Sequence, residues 1–570
     1  MDKHQVAGVL HEIGLLLELK GENPFKSRAY YNGARTVEML EGDLLQLVKE
    51  GRLKDIKGIG EALSEKIKEL VLTGGLKYYE ELKASVPHGL FDMLHIPGLG
   101  PKKIKVLHET LGITSVGELE YACKENRLIE LKGFGVKTQE NILKGIEYIK
   151  RFQGQYFYSE AVLAAQEILD KLKEFEHIED LSLAGSIRRC KEVVKDIDLV
   201  ASSQIPAEAA QFFARLPGVL EVIALGDTKV SVKLLQGINA DLRVVTPQEF
   251  PYALHHFTGS KEHNTAMRHR AKGMGLKMNE YGLFKGEELV KCRNEQEIFH
   301  ALGLSYIPPE LREDHGEIEA AEKGTLPELV QAKDIKGIFH VHTLYSDGSN
   351  TIEEIVRECK KLGFAYVGLT DHSQSAFYAG GLKIPDIERQ QEEIARLSQK
   401  YSDFGILSGI ESDIKPDGSL DYPDEILDKF DFVIASVHSG FKMSQEKMTQ
   451  RLVKAMSHPK VTMLGHPTGR LLLGREGYPL DMEEIFKAAL EYKVIIELNA
   501  SPARLDLDWR HLKRAKELGA LISINPDAHR LEELTDVAYG VAVARKGWLE
   551  KRDVFNTRPL NIVKEFFAQK

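Results

Sequence analysis

Two groups of side chains in this sequence are spaced for phosphate chemistry with divalent metals. The first lies in LSLAGSIRRCKEVVKDIDLVAS, residues 181–202. LSLAGS reads as a strand running into a Gly-Ser turn, and DIDLV as the next strand. Strand side chains alternate faces, so Asp196 and Asp198 project to the same side. A later strand, INADLRVV, offers Asp241. Neighbouring carboxylates repel unless a cation sits between them, and three on adjacent strands suit two Mg2+ ions about 4 Å apart. Ser186 and Arg189, beside Gly185, stand where they can contact phosphate oxygens.

The second group recurs through the last third of the chain. FHVH is strand-like and turns His340 and His342 to one face, with Asp347 in the following loop. The same event repeats at His372, Glu411, His438, His466, Asp527 and His529, each just past the end of an apolar strand. Imidazole and carboxylate ligands without cysteine suit Mn2+, Zn2+ or Fe2+ in an open site rather than a closed structural zinc site. Up to three ions are expected, with Glu411 as a bridging carboxylate in a site that clamps and hydrolyses a phosphate. His458 and His511 read as ordinary surface or core histidines.

These residues need elements to hold them. Strands near 338, 365, 405, 431, 461, 494 and 521 alternate with helical runs such as 351–363 and 482–493. That alternation implies βαβ units, and a sheet closed into a barrel would bring all the strand ends to one face. The first 150 residues instead repeat an apolar turn, a Gly-apolar-Gly triplet and a helix-period run at 53–67, 94–107 and 129–142. The triplets are Gly58/Gly60, Gly98/Gly100 and Gly133/Gly135. Glycine permits positive φ and close backbone approach, and the helix N-terminus that follows can receive one phosphate. Lys102, Lys103 and Lys137 lie just after the second and third turns.

Composition bounds the rest. The chain has 570 residues, a prior of about four domains, with net charge −10 and four scattered cysteines. No third of it is basic, which excludes a polybasic nucleic-acid coat and leaves local sites. The cysteine spacing gives no disulfide framework, and no apolar run would span a bilayer, so a cytoplasmic, membrane-free protein is expected. Residues 318–335 read as a linker between two functional halves.

The three GxG turns resemble helix-hairpin-helix motifs, which grip DNA backbone without reading sequence. GSIRR followed by DID and a later single Asp resembles the nucleotidyltransferase palm of family X DNA polymerases, the polymerase beta type, and the resemblance runs in order through residue 317. HHFTGSKEHNTAMRHRA (255–271) is similar to that family's thumb motif. The resemblance implies that Phe257, Gly259 and Asn264 line the incoming nucleotide and that Arg268 lies near the template. It also places Lys66 at the position of a Schiff-base lyase lysine, against the plainer reading of a solvated or phosphate-contacting lysine. Departures are His256 for a Tyr tied to ribonucleotide exclusion, Asn239 for an Arg, and Lys195 for a Gly. HVHTLYSDG, TDHS and PDAH closely resemble the polymerase-and-histidinol-phosphatase (PHP) domain, and all nine of its ligand positions are filled.

The expected fold class is therefore multidomain α+β and α/β. A lyase-like helical domain (1–86) precedes a fingers-type subdomain (87–146), palm (147–248), thumb (249–317), the linker, and a (βα)7-type PHP barrel (336–570). The resemblance implies a gap-filling repair polymerase acting on gapped or primed double-stranded DNA with deoxynucleoside triphosphates; a monomer is one expectation, with the oligomeric state left open. Its palm would use two Mg2+ or Mn2+ ions. Its PHP domain would be a Mn2+-dependent 3′→5′ exonuclease that also incises abasic sites. The rivals are a PHP phosphatase or pyrophosphatase for small molecules, and a first half that only docks DNA.

Overall fold

A computed structural model of the chain describes all residues except 2, 41–43, 57, 95, 125, 126, 129, 130, 132 and 153. Part of the third GxG repeat (129, 130 and 132) therefore lies outside the described residues. The chain divides into two compact units, Met1–Gln153 and Gly154–Lys570.

The first unit is helical, and one core runs through it from Leu10 and Ile13 past Ile67 and Leu107 to Ile146. The GxG turns are built alike. The apolar residue between each pair of glycines (Ile59, Leu99 and Phe134) is buried and pins the turn to that core. The leading glycines Gly58, Gly98 and Gly133 have φ of 101°, 81° and 91°, where a side chain would be strained. The second glycines immediately precede the helices Glu61–Thr73, Pro101–Leu111 and Val136–Phe152. A Cβ added at Gly60, Gly98, Gly100, Gly133 or Gly135 would meet nothing within 4 Å. The outer side of these turns is thus open to a backbone-sized ligand.

The second unit begins with a five-stranded sheet of β1 (Asp180–Leu183), β2 (Asp196–Ser202), β3 (Val219–Leu225), β4 (Lys229–Leu234) and β5 (Asn239–Val245), in spatial order β1-β2-β5-β4-β3. Only the β2–β5 pair is parallel. The core under this sheet gathers Ile197, Leu199, Val230, Val232, Ala240 and Leu242 with Ala165 and Phe213 of the flanking helices. The alternation that turns Ile197 inward turns Asp196 and Asp198 outward. The helices Phe250–Thr258 and Lys261–Gly273 follow, packed around Tyr252, Met267 and Phe299.

Seven parallel strands come next: β6 (Gly337–Val341), β7 (Tyr366–Leu369), β8 (Gly405–Asp413), β9 (Phe432–Ser436), β10 (Val461–Leu464), β11 (Ile495–Asn499) and β12 (Ile522–Asn525). They pair in sequence order, and a parallel bridge from Val341 to Ala528 nearly closes the barrel. The strands are apolar almost throughout because both faces are buried. Phe339, Tyr366, Leu407, Phe432, Met463 and Ile495 fill the interior, with Phe555 and Phe567 of the C-terminal segment packed against them. Helix starts are marked in the sequence: Thr351 and Glu354 form a reciprocal capping box before Ile352–Lys361.

The segment expected as a linker, 318–335, is ordered and packed instead. It opens in the helix Glu317–Lys323, Leu329 bridges Glu550, and the Val330 N–H donates to the Leu549 carbonyl at 3.0 Å. Ile318, Ala321 and Leu329 join Trp548 in the core of the thumb-like subdomain. Glu319, Glu322 and Glu328 are exposed on the outer face of a strap whose apolar side, Ile318, Ala321, Leu329 and Val330, is covered. Sequence composition reports the first and not the second.

Candidate polymerase centre and metal cage

In the five-stranded sheet the parallel register sets Asp198 directly beside Asp241, and Asp196 beside Asn239. The three carboxylates thus share one face. Burial, then the charges of Asp196 and Asp241, pushes Asp198 up to about 7, and burial together with Asp241 also raises Asp196. Lys229 on β4 is half exposed and 3.5 Å from Asp241 Oδ2, and it and Arg189 only partly offset the negative charge around Asp198. Three carboxylates against these two cations leave the face short of positive charge, which suits a cation-binding centre.

The Gly-Ser turn lies against this cluster. At Gly185, φ is 57° and a Cβ would stand 1.9 Å from Asp198 Oδ2, so no other residue fits. Ser186 follows in the short helix Gly185–Arg188. Arg189 does not point freely at a phosphate site as expected. Its guanidinium is buried, with Nε 3.0 Å from Glu313 Oε1 and Nη1 bonded to the Thr258 carbonyl. Arg188 is also engaged, by Thr258 Oγ1 at 2.6 Å and Glu295 at 2.6 Å. The two arginines tie the Gly-Ser turn to the Thr258–Gly259 corner. A side chain at Gly259 (φ 71°) would meet Arg189 Nη1 at 2.9 Å.

The remaining thumb residues cluster beside that corner. Asn264 donates to the His256 carbonyl at 2.7 Å, while its Oδ1 is buried without a hydrogen-bond partner. Phe257 stacks under Arg243, whose guanidinium carbon is 5.3 Å from the ring centroid. Arg268 is exposed. In the other unit, Lys66 Nζ lies 4.9 Å from the Tyr78 ring centroid and 3.4 Å from the Ala62 carbonyl, over a cavity lined by Glu65, Glu69, Leu72 and Tyr78.

All nine strand-end residues of the barrel meet at one mouth. Ligand atoms of His342, Asp347, His372 and His529 lie within 4.8 Å of one another, as do those of His340, His466 and Asp527, of His340, His342 and Glu411, and of His372, Glu411 and His438. Glu411 is at the centre: its Oε1 is 3.2 Å from His340, 3.2 Å from His438 and 3.0 Å from His466, and its Oε2 is 2.7 Å from His372. Asp527 Oδ1 stands 3.3 Å from both His340 and His342. Backbone φ is positive at His340 (59°), His466 (23°) and Asp527 (55°), a strain that the site imposes on ligands rather than on glycines.

Protons occupy this mouth unevenly. Burial opposes charge on His438 and His529, yet Glu411 and Asp413 push the first up to about 10, and Asp347 and Asp527 the second to about 9. His342, buried beside His529 and His372, is pushed down to about 3. His342 Nδ1 is buried without a hydrogen-bond partner, and His340 Nε2 and His342 Nε2 make no well-aligned hydrogen bond to the carboxylate oxygens that stand 3.2 and 3.3 Å away. Orphaned lone pairs facing one another across 3–4 Å fit a set of divalent cations and no ordinary core.

Three supports went unread in the sequence. Glu497 on β11 accepts from His340 Nδ1 at 2.6 Å and from the His466 backbone N–H at 2.6 Å, and Asp413 holds His438 Nδ1 at 2.6 Å. Such partners fix imidazole tautomer and orientation. Arg504 lies 3.5 Å from Asp527 Oδ2. The available signal was a buried acid within an apolar run, VIIELNA, which contributes no strand-end ligand. His458 stands apart, paired with Asp424 at the surface.

Comparisons with known proteins agree with this anatomy. Family models match for a helix-hairpin-helix domain over residues 1–76, a SAM-like helix-hairpin-helix tandem over 91–147, the DNA polymerase beta thumb over 253–313 and the PHP domain over 339–501. A polymerase beta-like half joined to a PHP barrel defines the class. A Bacillus subtilis (strain 168) protein named DNA polymerase/3′-5′ exonuclease PolX is 40% identical over 573 residues, covering 100% of both chains. The chain belongs to this family, the bacterial family X DNA polymerases with a C-terminal PHP domain. A probable phosphatase of Thermoanaerobacter sp. (strain X514) is 32% identical over 40% of this chain and 94% of its own length. A solved chain of Leishmania infantum polymerase beta, titled as a ternary P/T complex, is 24% identical, covers 40% of this chain and 99% of its own, and has a TM-score of 0.26. That superposition is too loose to bear on the geometry.

Proposed function

We propose that this protein is a DNA repair polymerase that fills short gaps by templated nucleotidyl transfer and carries a Mn2+-dependent 3′→5′ exonuclease in its PHP barrel. The observation that carries the first activity is the carboxylate face of β2 and β5, where Asp198 is forced up to about 7 by burial and its two neighbours. Asp196, Asp198 and Asp241 would hold two Mg2+ or Mn2+ ions, which when bound neutralise this face and a nucleoside triphosphate. Ser186 and the backbone beside Gly185 receive phosphate oxygens. Phe257, Gly259 and Asn264 line the sugar and base, and Arg268 meets the template strand. The GxG turns at Gly58/Gly60, Gly98/Gly100 and Gly133/Gly135 each take a DNA phosphate through a helix N-terminus.

In the barrel, His340, His342, Asp347, His372, Glu411, His438, His466, Asp527 and His529 would hold up to three ions of Mn2+, Zn2+ or Fe2+. Glu497 and Asp413 keep His340 and His438 turned into the site. The substrates are gapped or primed double-stranded DNA and deoxynucleoside triphosphates, with abasic-site incision as a further use of the same hydrolytic mouth. A monomer working in the cytoplasm, with domain boundaries at 86, 146, 248 and 317, completes the reading. Lys66 stands at the family's lyase position as a candidate only, and a solvated or phosphate-contacting lysine is the favoured reading there.

Primer extension across a one-nucleotide gap tests the first activity: Asp196→Ala should abolish it and leave DNA binding. Shortening of a 5′-labelled oligonucleotide with Mn2+ tests the second, and His342→Ala should remove it. A wild-type protein that cannot extend sinks the polymerase reading. One that extends but never shortens DNA leaves the barrel as a small-molecule phosphatase.

A further inference from the structure

A lysine of the barrel is buried where the hydrolytic cage makes no use of it. Lys546, at the end of the helix Val537–Lys546, has a side chain with 0% exposure. Burying an ammonium is costly unless it is fully paired. Its Nζ donates to the Arg189 carbonyl at 3.0 Å and to Glu313 Oε1 at 2.5 Å, with the Glu310 carbonyl at 3.5 Å. The Trp509 ring covers it, with the centroid 4.6 Å away. The first two partners belong to the polymerase half, one on the Gly-Ser turn and one in the thumb.

From there hydrogen bonds run toward the carboxylate strand, ending in the Arg189 N–H to the Gly185 carbonyl at 3.3 Å and the Ala184 N–H to the Asp198 carbonyl at 2.8 Å. Glu313 holds Arg189 Nε at 3.0 Å, Arg189 holds the Thr258 carbonyl, and Gly185 of the same turn lies directly against Asp198. Two further barrel cations brace the far end of the turn: Arg470 and Arg510 approach Glu192 Oε1 at 3.6 and 3.7 Å. Asp508, also of the barrel, anchors Arg470 at 2.6 Å. The turn that faces the incoming triphosphate is thus clamped from the barrel side, through side chains that reach neither the cage nor the substrate.

We propose that Lys546 is a positioning residue for nucleotidyl transfer, through which the PHP barrel holds the phosphate-facing turn 185–192 and the Thr258–Gly259 corner in register with Asp198. The barrel is then a working part of the polymerase centre as well as a hydrolase. This rests on the assignment of Asp196, Asp198 and Asp241 to nucleotidyl transfer, and the controls separate the two claims.

The test uses the full chain. Steady-state gap filling is measured with dNTP varied, alongside Mn2+-dependent shortening of a 5′-labelled oligonucleotide, for wild type, Lys546→Met, Lys546→Arg and Glu313→Gln. Lys546→Met should raise the KM for dNTP about tenfold or more with a smaller change in kcat, because the turn loses its alignment while the carboxylates remain. Its exonuclease rate should stay within about twofold of wild type. Lys546→Arg, which keeps the charge, should recover most of the loss. An unchanged KM in Lys546→Met, or equal loss of both activities in a protein that melts like wild type, overturns the proposal. If Lys546→Met does not fold, Glu313→Gln decides: a raised KM with normal exonuclease supports the clamp, and an unchanged KM rejects it. Wild-type protein that fails to extend at all, or Asp196→Ala that still extends, would instead overturn the underlying assignment.

Discussion

At the scale of single residues, the palm-like site is defined by a charge conflict. Asp198 sits beside Asp241 in register and two residues from Asp196 on one face, and its folded pKa is raised to about 7. A raised carboxyl pKa means the folded state holds that proton more tightly than the unfolded chain does. The stabilisation is full below the unfolded value near 4 and is lost as pH climbs through about 7. In chelator, Asp198→Asn should therefore raise Tm at pH 8, on the order of 2 °C, and change little at pH 5. Transfer activity should vanish in the same variant. Mg2+ should stabilise wild type more than Asp198→Asn. Equal melting of the two proteins in chelator at pH 8 would remove the conflict on which the assignment leans.

At the scale of elements, strand periodicity and βα alternation carried most of what could be read. Nine ligands from six of the seven strand ends converge because parallel strands share one C-terminal rim, and that is visible in a string of letters. What stayed hidden acts through another residue or across long separations. Glu497 and Asp413 orient histidines from behind, Glu497 from inside an apolar strand and Asp413 two residues past the ligand Glu411. Lys546 meets Glu313 across 233 residues, between elements that no local pattern relates. Arg189 fits a phosphate role by its neighbours in the sequence, yet its guanidinium is spent on Glu313 and Thr258, and only packing reveals that. Glycines make the element scale testable. Gly185→Ala puts a methyl group 1.9 Å from Asp198 Oδ2 at a φ of 57° and should reduce gap filling by at least about 100-fold with the exonuclease intact. Gly98→Val strains a turn whose outer side is open, so it should weaken DNA binding by several-fold and lower the salt slope by about one, leaving the KM for dNTP unchanged. A normal salt slope in that variant would detach this turn from DNA.

At the scale of the whole molecule, the net charge of −10 is the puzzle for a protein that holds a polyanion. Part of that deficit is concentrated in Asp196, Asp198, Asp241, Asp347, Glu411 and Asp527, which gather where cations would sit. Two ions in the palm and three in the barrel would add roughly +10, comparable to the whole formal deficit. The DNA-facing potential of the chain should then depend on metal far more than a basic DNA binder's does. Fluorescence anisotropy on a gapped duplex, with Ca2+ to limit turnover, can measure this against excess chelator. Chelation should weaken binding of wild type several-fold at about 0.1 M salt, where exposed charges are screened beyond roughly 10 Å and near contacts dominate. Asp198→Asn, with one fewer uncompensated charge on the palm face, should bind more tightly than wild type in chelator and lose less affinity on metal removal. If wild type binds equally with and without metal, its affinity rests on the GxG turns and exposed lysines alone. The acidic clusters would then serve chemistry without serving capture.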